Sequence, residues 1–298
     1  MSERDPFASF RARMDALGFR PSSVLGQNFL LDPSLHRFLA DRAGPTPGDT
    51  VVEIGVGLGF LTRELAARAG AVLAVEIDGR LLQLAREDLA AAANVTWVHG
   101  DALSGPERSL HPAIAAAVPA AADGRVLVVA NLPYSVSGPL LAELCALPQL
   151  PARCVLLVQK ELAQRIAAPS GDAEYGGLAV QVQALYRARL VRDVGPQVFR
   201  PRPKVVSAVL ELERRTDSPL AGRSGAERRN FGVFVRQLFQ QRRKALRTTL
   251  PAAVAAAGHR PVAWAEALLA GRAEAAAPDH IASWWAMALA GAAGDGRA

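Results

Sequence analysis

The sequence predicts an α/β protein, a doubly wound parallel sheet followed by a small C-terminal helical domain. Three observations predict it. From Thr50 to Glu213, short β-branched runs alternate with longer segments of helical spacing, as repeated strand–helix–strand units require. Arg214–Gly225 (RRTDSPLAGRSG) is then linker-like in composition, and beyond it the strand signals stop. Finally, Phe231, Phe234, Val235, Leu238 and Phe239 recur at i, i+3, i+4, i+7 and i+8, which marks an amphipathic helix. The expected division is a body over residues 1–215 and a helical domain over 216–298.

Each predicted strand is a short apolar run suited to a strand covered on both faces. Val51–Ile54, Val72–Val75, Val95–Val98, Val126–Ala130 and Val155–Val158 have this form. Between them, Leu61–Ala69, Leu81–Ala90, Pro139–Leu147 and Lys160–Ala168 carry helical spacing. Leu190–Val194 and Val205–Leu212 have strand composition and flank a proline-rich loop, so an antiparallel hairpin on the sheet edge is expected. Ser104–Asp123 is rich in Ala and Pro without clear period and reads as a surface insert. In the tail, further helices are expected over Val262–Leu269 and Asp279–Ala290.

Composition narrows the function. Half of the 298 residues are hydrophobic, but much of this is alanine spread among charges, and no stretch approaches the ~20 apolar residues of a membrane span. Met1-Ser-Glu-Arg-Asp is not the start of a signal peptide, because acids occupy it and no apolar run follows. The two cysteines, Cys145 and Cys154, exclude a disulfide scaffold, and the five histidines form no metal-ligand spacing with them. A cytoplasmic protein with no membrane and no metal is expected. The net charge is +6, from 34 Lys+Arg against 28 Asp+Glu. Between Arg187 and Arg247, 16 cations face 5 acids, so a zone of +11 sits on an acidic remainder of −5. Arginine makes up 31 of the 34 cations; coding bias explains Arg over Lys but not the clustering. The clustering points to a polyanionic partner, nucleic acid first.

Glu53-Ile-Gly55-Val-Gly57-Leu-Gly59 follows the first predicted strand and opens a helix. Glycines there let backbone amides approach a ligand. A dinucleotide fingerprint, G-x-G-x-x-G, needs glycine where Phe60 stands, so it fails. The pattern E-x-G-x-G-x-G suits S-adenosylmethionine instead. Glu76, at the end of the next strand, is placed to accept from both ribose hydroxyls, and Asp101, after the third, from an adenine amino group. Either acid alone could serve as a helix N-cap, and the glycines could serve tight packing only. Three successive strand ends carrying them favour one ligand site.

After the fourth strand comes Asn131-Leu132-Pro133-Tyr134. The lone pair of an exocyclic base amine is delocalised, so a site that methylates it should accept hydrogen bonds from its protons. Asn131 Oδ1 and the Leu132 carbonyl can do so, Pro133 stiffens the turn, and Tyr134 offers a face for an extruded base. An Asn–Pro turn with a buried Tyr is the plain structural alternative.

These residues carry a resemblance. Asn131–Tyr134 resembles the N-x-P-Y motif of adenine-N6 methyltransferases, and Leu25-Gly-Gln-Asn28-Phe-Leu30 the L-G-Q-N-F-L signature of ribosomal RNA adenine dimethyltransferases. The likeness continues through Gln159–Arg165, Tyr175–Leu178, Val198–Val209 and Phe239–Arg247. This ordered set is similar to the KsgA/RsmA-type small-subunit ribosomal RNA adenine-N6,N6 dimethyltransferases, over roughly residues 20–290. The resemblance implies a Rossmann-like S-adenosylmethionine-dependent methyltransferase. Its segment 1–48 would cover the cofactor, and its helical domain would bind rRNA. It implies transfer of methyl groups to N6 of two adjacent adenines in the 3′-terminal hairpin loop of small-subunit (16S) rRNA, with the pre-30S particle as partner and a monomeric enzyme.

By the same resemblance Asn28, Leu30, Gly55, Glu76, Asp101 and Asn131 would hold the cofactor. Phe199, expected to be exposed in its Pro/Arg-rich loop, would sandwich the target base opposite Tyr134. Arg200, Arg202 and Lys204 flank that platform, and Arg242, Arg243, Lys244 and Arg247 form the densest basic run, for phosphate contacts. Core packing for Phe199 and a solvated helix face for the basic run are the alternatives. The chain departs from the family pattern at Val56, often Pro, and at Pro21–Leu25, where relatives often carry a Lys/Arg pair and only Arg20 substitutes. Large-subunit rRNA methylases, a binding protein that lost turnover, and a DNA adenine methylase are the competing classes. Phe199–Lys204 and Gln240–Arg247 favour the small-subunit enzymes, and Leu132, where DNA enzymes commonly have Pro, disfavours the last.

Overall fold

The computed structural model describes residues 6–16, 18–21, 26–120 and 124–293. The first five residues, Leu25 of the L-G-Q-N-F-L signature with the three residues before it, and the last three of the Ser104–Asp123 insert lie outside the described residues. The strands are β1 (Phe29–Leu30), β2 (Thr50–Ile54), β3 (Ala71–Glu76), β4 (Val95–His99), β5 (Val126–Asn131), β6 (Arg153–Gln159), β7 (Tyr186–Val194), β8 (Phe199–Arg200) and β9 (Ser207–Arg214). Seven form one sheet in the order β4-β3-β2-β5-β6-β9-β7, and β1 pairs with β8 in a two-stranded ribbon.

The sheet is parallel from β4 through β6. Parallel strands need crossovers, and the helices Phe60–Ala66, Gly79–Asp88 and Ser137–Leu144 lie between consecutive strands as the alternating pattern predicts. β2, β5 and β6 are buried almost throughout, which fits their unbroken apolar runs. β4 departs from expectation: it is an edge strand, none of its residues is buried, and Thr96 and His99 are exposed. β9 and β7 are neighbours at the other edge, so the two late strand runs do come together there.

The chain divides into two compact units. The first comprises residues 1–140, 151–160 and 191–211; the second comprises 141–150, 161–190 and 212–298. This differs from a linear cut at 215, because the second unit takes in two segments from the middle of the α/β pattern. In the first unit, Val51, Val72, Leu127, Val155 and Val209 of the sheet pack with Leu35, Leu39 and Ala43 of the helix Pro33–Ala43. A smaller cluster joins Met14 and Phe19 to Leu58, Leu81 and Leu84. The helices Pro6–Ala16 and Pro33–Ala43 within the expected cofactor-covering segment had no periodic signal long enough to predict them.

In the second unit the predicted amphipathic helix is Gly225–Phe239, started by a capping box in which Ser224 and Glu227 exchange hydrogen bonds. Phe231, Phe234, Val235 and Leu238 are buried, and Phe231 meets Trp285 edge-on at 5.7 Å. Pro278–Ala293 matches the last predicted helix, whereas Val262–Leu269 shrinks to the single turn Glu266–Leu269. Leu246–Ala256 is an additional helix that its alanines and internal Pro251 concealed. Ser104–Asp123 is likewise more than an insert: it contains the helix Pro112–Ala120, and Leu110 and Ile114 are buried.

At the amino ends of β2 and β5, Asp49 is 4% exposed and accepts from the Arg125 backbone and guanidinium and from Thr46 N–H and Oγ. The Arg125 guanidinium, first, and the Thr46 donors hold its carboxyl well below the usual carboxylate range. A depressed value stabilises the fold above the ordinary carboxylate pKa, and that contribution is lost as pH falls through and below it. Asp49→Asn should cost roughly 1–3 kcal/mol at neutral pH, read by urea unfolding, and the deficit should shrink in acid. An equal deficit at low pH would contradict the charge-based account.

Candidate active site

From β2 the chain builds outward through β3 to β4, and from β5 to β6 in the other direction, so the strand order reverses between β2 and β5. Ligands of open α/β sheets bind outside the carboxyl ends at such a reversal. A pocket opens there, lined by the loop after β2, Glu76 at the end of β3, Asp101 after β4 and Asn131–Tyr134 after β5.

The glycine loop depends on backbone that side chains disfavour. Gly55 has φ 80°, and a Cβ would lie 3.4 Å from the Asn131 carbonyl; Gly59 has φ 76°, and a Cβ would meet Ala85 at 3.0 Å. Gly57 N–H donates to Glu76 Oε2 at 2.9 Å, and Asp78 N–H donates to Oε1 at 2.9 Å. Glu76 is 5% exposed, and burial raises its pKa against those two hydrogen bonds. Each oxygen keeps a second lone pair for a ligand hydroxyl. Asp101 Oδ1 accepts from Leu103 N–H at 2.9 Å within a turn rather than at a helix N-cap, and the residue lines the pocket.

Glu53 is a feature the motif named without a role. It is 1% exposed, lines the pocket, and burial followed by the nearby Glu76 charge pushes its pKa up to about 8. The neighbouring Thr62 hydroxyl opposes that rise, yet Glu53 Oε2 and Thr62 Oγ1 meet no partner within hydrogen-bonding geometry among the described residues. An unpartnered carboxyl oxygen, a second acid with spare lone pairs and a glycine-lined backbone together fit S-adenosylmethionine, which carries two cationic centres and ribose hydroxyls.

Asn131 Nδ2 donates to the Asn28 carbonyl at 3.1 Å, which leaves Oδ1 as the acceptor. Asn28 Nδ2 in turn donates to Gly26 O at 3.1 Å. Leu132 N–H donates to Leu157 O at 3.0 Å, and Ser137 Oγ to Pro133 O at 2.9 Å, so the Asn-Leu-Pro-Tyr turn is tied to β6 and to the following helix. Leu30 is buried and lines the pocket. A second pocket shares Gly26, Gln27, Asn28, Tyr134 and Ser135 with the first and adds Gln159, Arg202 and Lys204.

Phe199 is a correction. It is fully buried, not exposed: β8 pairs with β1, setting Phe199 opposite Leu30, and both belong to the core of the first unit. Neither pocket is lined by it. Arg200 is exposed and folds back, donating to the Gln197 and Phe199 carbonyls. Arg242, in the second unit, lies in the turn after the helix Gly225–Phe239 and is bound to that unit: it donates to the Ala173 and Tyr175 carbonyls and sits 3.6 Å from Glu274. Arg202, Lys204, Arg243, Lys244 and Arg247 are exposed and, among the described residues, take part in no ion pair. Arg20 pairs with Asp15 at 2.9 Å. Gln27, Gln159 and Ser207 reach this region as members of the Leu25–Leu30, Gln159–Arg165 and Val198–Val209 motifs to which the sequence assigned no role, because a lone polar residue at a strand end carries no periodic signal.

An open parallel sheet with this glycine loop, acid pair and Asn-Leu-Pro-Tyr turn at its reversal point defines an S-adenosylmethionine-dependent methyltransferase. The family model described as ribosomal RNA adenine dimethylase matches residues 18–263. The chain is 41% identical over 234 residues to ribosomal RNA small subunit methyltransferase A of Geobacillus thermodenitrificans, covering 78% of this chain and 77% of that one. It is 40% identical over 263 residues to the protein of the same name from Phenylobacterium zucineum, with 87% of each chain covered. Among solved structures, a dimethyladenosine transferase from Plasmodium falciparum superposes with a TM-score of 0.67 at 22% identity, over 85% of this chain and 94% of that one. The 23S rRNA methyltransferase ErmE does so with 0.58 at 26%, over 89% and 99%. The chain belongs to the ribosomal RNA adenine dimethylase family.

Between the ordinary carboxylate pKa and about 8, folded Glu53 keeps a proton that the unfolded chain has released. Unfolding free energy should therefore fall as pH rises through that window, by up to about 1.4 kcal/mol per pH unit from this group. Glu53→Gln should flatten the slope measured by urea unfolding. A slope unchanged in the variant would remove Glu53 as its source.

Proposed function

We propose that this chain transfers methyl groups from S-adenosylmethionine to N6 of two adjacent adenines in the 3′-terminal hairpin loop of small-subunit rRNA, forming N6,N6-dimethyladenosines during small-subunit biogenesis. The observation that carries the chemistry is the Asn131 side chain, anchored through Nδ2 on Asn28 so that Oδ1 is left to accept. Asn28, Leu30, Gly55, Glu76, Asp101 and Asn131 would hold S-adenosylmethionine, which would supply an electrophilic methyl group and leave as the neutral thioether S-adenosylhomocysteine, the amine proton passing to solvent. Asn131 Oδ1 and the Leu132 carbonyl accept from the target amine, drawing its lone pair out of the ring. Pro133 keeps the turn rigid, and Tyr134 supplies a face for a base taken out of its stack. Orientation and exclusion of water then carry the step without a strong base.

The small subunit is favoured over the large by relatives named for it, and rRNA over DNA by the family itself. In the first unit, Arg202 and Lys204 stand at the rim of the second pocket. In the second unit, Arg243, Lys244 and Arg247 offer phosphate contacts, and residues 216–298 fit an rRNA-binding role. Particle shape suits such contacts better than base sequence does. Among the described residues no helix is long and apolar enough to cross a membrane. A monomer acting on the pre-30S particle in the cytoplasm completes the reading.

The deciding experiment supplies labelled S-adenosylmethionine with unmethylated small subunits, large subunits or DNA and maps dimethyladenosine. Label in the small subunit at two adjacent adenines is expected; label confined to the large subunit would overturn the assignment. Asn131→Ala should abolish turnover while cofactor affinity stays within about tenfold, a loss of one hydrogen bond. Removing Arg243, Lys244 and Arg247 together should lower the slope of log affinity against log salt by about two to three. An unchanged slope would take these residues off the phosphate backbone.

A further inference from the structure

Ser207 opens β9 and is fully buried. Its Oγ lies 2.6 Å from the hydroxyl oxygen of Tyr134, 73 residues earlier in the chain. Tyr134 follows β5 on the Asn-Leu-Pro-Tyr turn, lines both pockets and is half-buried. A tyrosine on a turn retains freedom about χ1 and χ2, and its ring is a useful stacking surface only when its plane is held. The Pro133 ring stiffens the backbone but does not reach the phenol. The Ser207 hydroxyl does, from a backbone held in turn: Lys160 N–H donates to the Val206 carbonyl at 3.0 Å, fixing this segment against the end of β6. Burial raises the Tyr134 phenol above its ordinary value, so the group stays protonated at neutral pH and the bond persists.

The residues just before Ser207 make this more than a packing detail. Pro201 through Val205 line the second pocket, with Arg202 and Lys204 exposed on it. Val205 and Val206 are each 41% exposed, an unusual placement for consecutive apolar side chains beside two cations. One short segment therefore offers cations and apolar surface to a polyanion at one end and holds the Tyr134 phenol at the other.

We propose that Ser207 is a positioning residue for methyl transfer: its hydroxyl sets the plane of the Tyr134 ring against which the target base stacks, so that contact along residues 201–206 and alignment of the base are carried by one segment. This rests on the reading of Tyr134 as the stacking face.

The test is a double-mutant cycle with Ser207→Ala and Tyr134→Phe, read on whichever rRNA substrate the wild-type enzyme methylates. Each single change removes the same bond and keeps the ring. Each should lower kcat about tenfold, the scale of one lost hydrogen bond, with KM for S-adenosylmethionine unchanged. The double variant should lose no more than either single one, and Ser207→Thr should restore most of the rate. A hairpin carrying 2-aminopurine at the target position should be quenched on binding wild type and fluoresce more with Ser207→Ala. Wild-type kcat in both single variants, or a double loss that multiplies to about a hundredfold, would overturn the proposal. If Ser207→Ala fails to fold, Tyr134→Phe alone decides through kcat and quenching. Failure of the functional reading shows separately, as wild-type enzyme that labels no small-subunit RNA.

Discussion

Glu76 accepts one backbone hydrogen bond from Gly57 in the loop after β2 and another from Asp78 at the head of the next helix. A nearly buried carboxylate is costly unless it is well hydrogen-bonded, and here the compensation comes from amides rather than from a cation. The glycine loop, the end of β3 and the start of the helix Gly79–Asp88 are thereby joined at a single side chain. Asp78 continues the chain of dependence by capping that helix through Arg80 N–H. Much of the pocket floor takes its shape from these bonds. The same carboxylate raises the cost of ionising Glu53 nearby, so two acids share a confined space with no cation of the protein described beside them. A ligand bearing positive charge relieves that conflict.

The basic zone has a different meaning in three dimensions than along the chain. Several of its arginines are spent within the second unit: Arg215 grips Asp279 with two 2.7 Å bonds, Arg187 and Arg189 lie near Asp217 and Glu213, and Arg229 holds Glu143. Arg242 and Arg272 both approach Glu274. Exposed pairs of this kind add little stability, but they remove charge from the field that a polyanion meets. Among the described residues, the exposed cations of the zone outside any ion pair include Arg192, Arg202 and Lys204 in one unit and Arg236, Arg243, Lys244 and Arg247 in the other, a smaller set for the proposed polyanion to meet.

Most of the α/β body was legible because buried parallel strands leave a signature that survives without tertiary context: β2, β5 and β6 are apolar runs of about the length of the sheet. β4 shows the limit, since Val95-Thr-Trp-Val reads the same whether one neighbour or two flank it. The lining of the candidate pocket was legible at Gly55, Glu76, Asp101 and Asn131, where residue type and the end of a strand, or the loop just after it, coincide. Phe199 misled because proline and arginine around it suggest exposure, while the β1–β8 pairing that buries it joins segments 169 to 171 residues apart. Ser207 stands within the Val198–Val209 motif, but its role was not legible for the same reason: its partner Tyr134 lies on a turn 73 residues away in the chain. The helix Leu246–Ala256 was hidden by composition, as alanine on every face leaves little periodicity to detect.

Arg228 lies in the helix Gly225–Phe239 and is 2% exposed, with its guanidinium donating to the carbonyls of Cys145, Leu147, Pro148 and Arg223. Among the described residues no carboxylate takes part; the charge is met by the carbonyls of the turn that follows the helix Ser137–Leu144 and by that of Arg223. Residues 141–150, which come from the middle of the α/β pattern, are thus completed by a side chain from the tail. The consequence is modular. Genetic cutting at residue 215 does not separate two self-contained fragments: it strips the guanidinium from the carbonyls of Cys145, Leu147 and Pro148 and leaves the crossover that follows the Asn-Leu-Pro-Tyr turn without its cap. Any fusion, permutation or domain exchange in this family architecture has to carry residues 141–150 and the helix bearing Arg228 together.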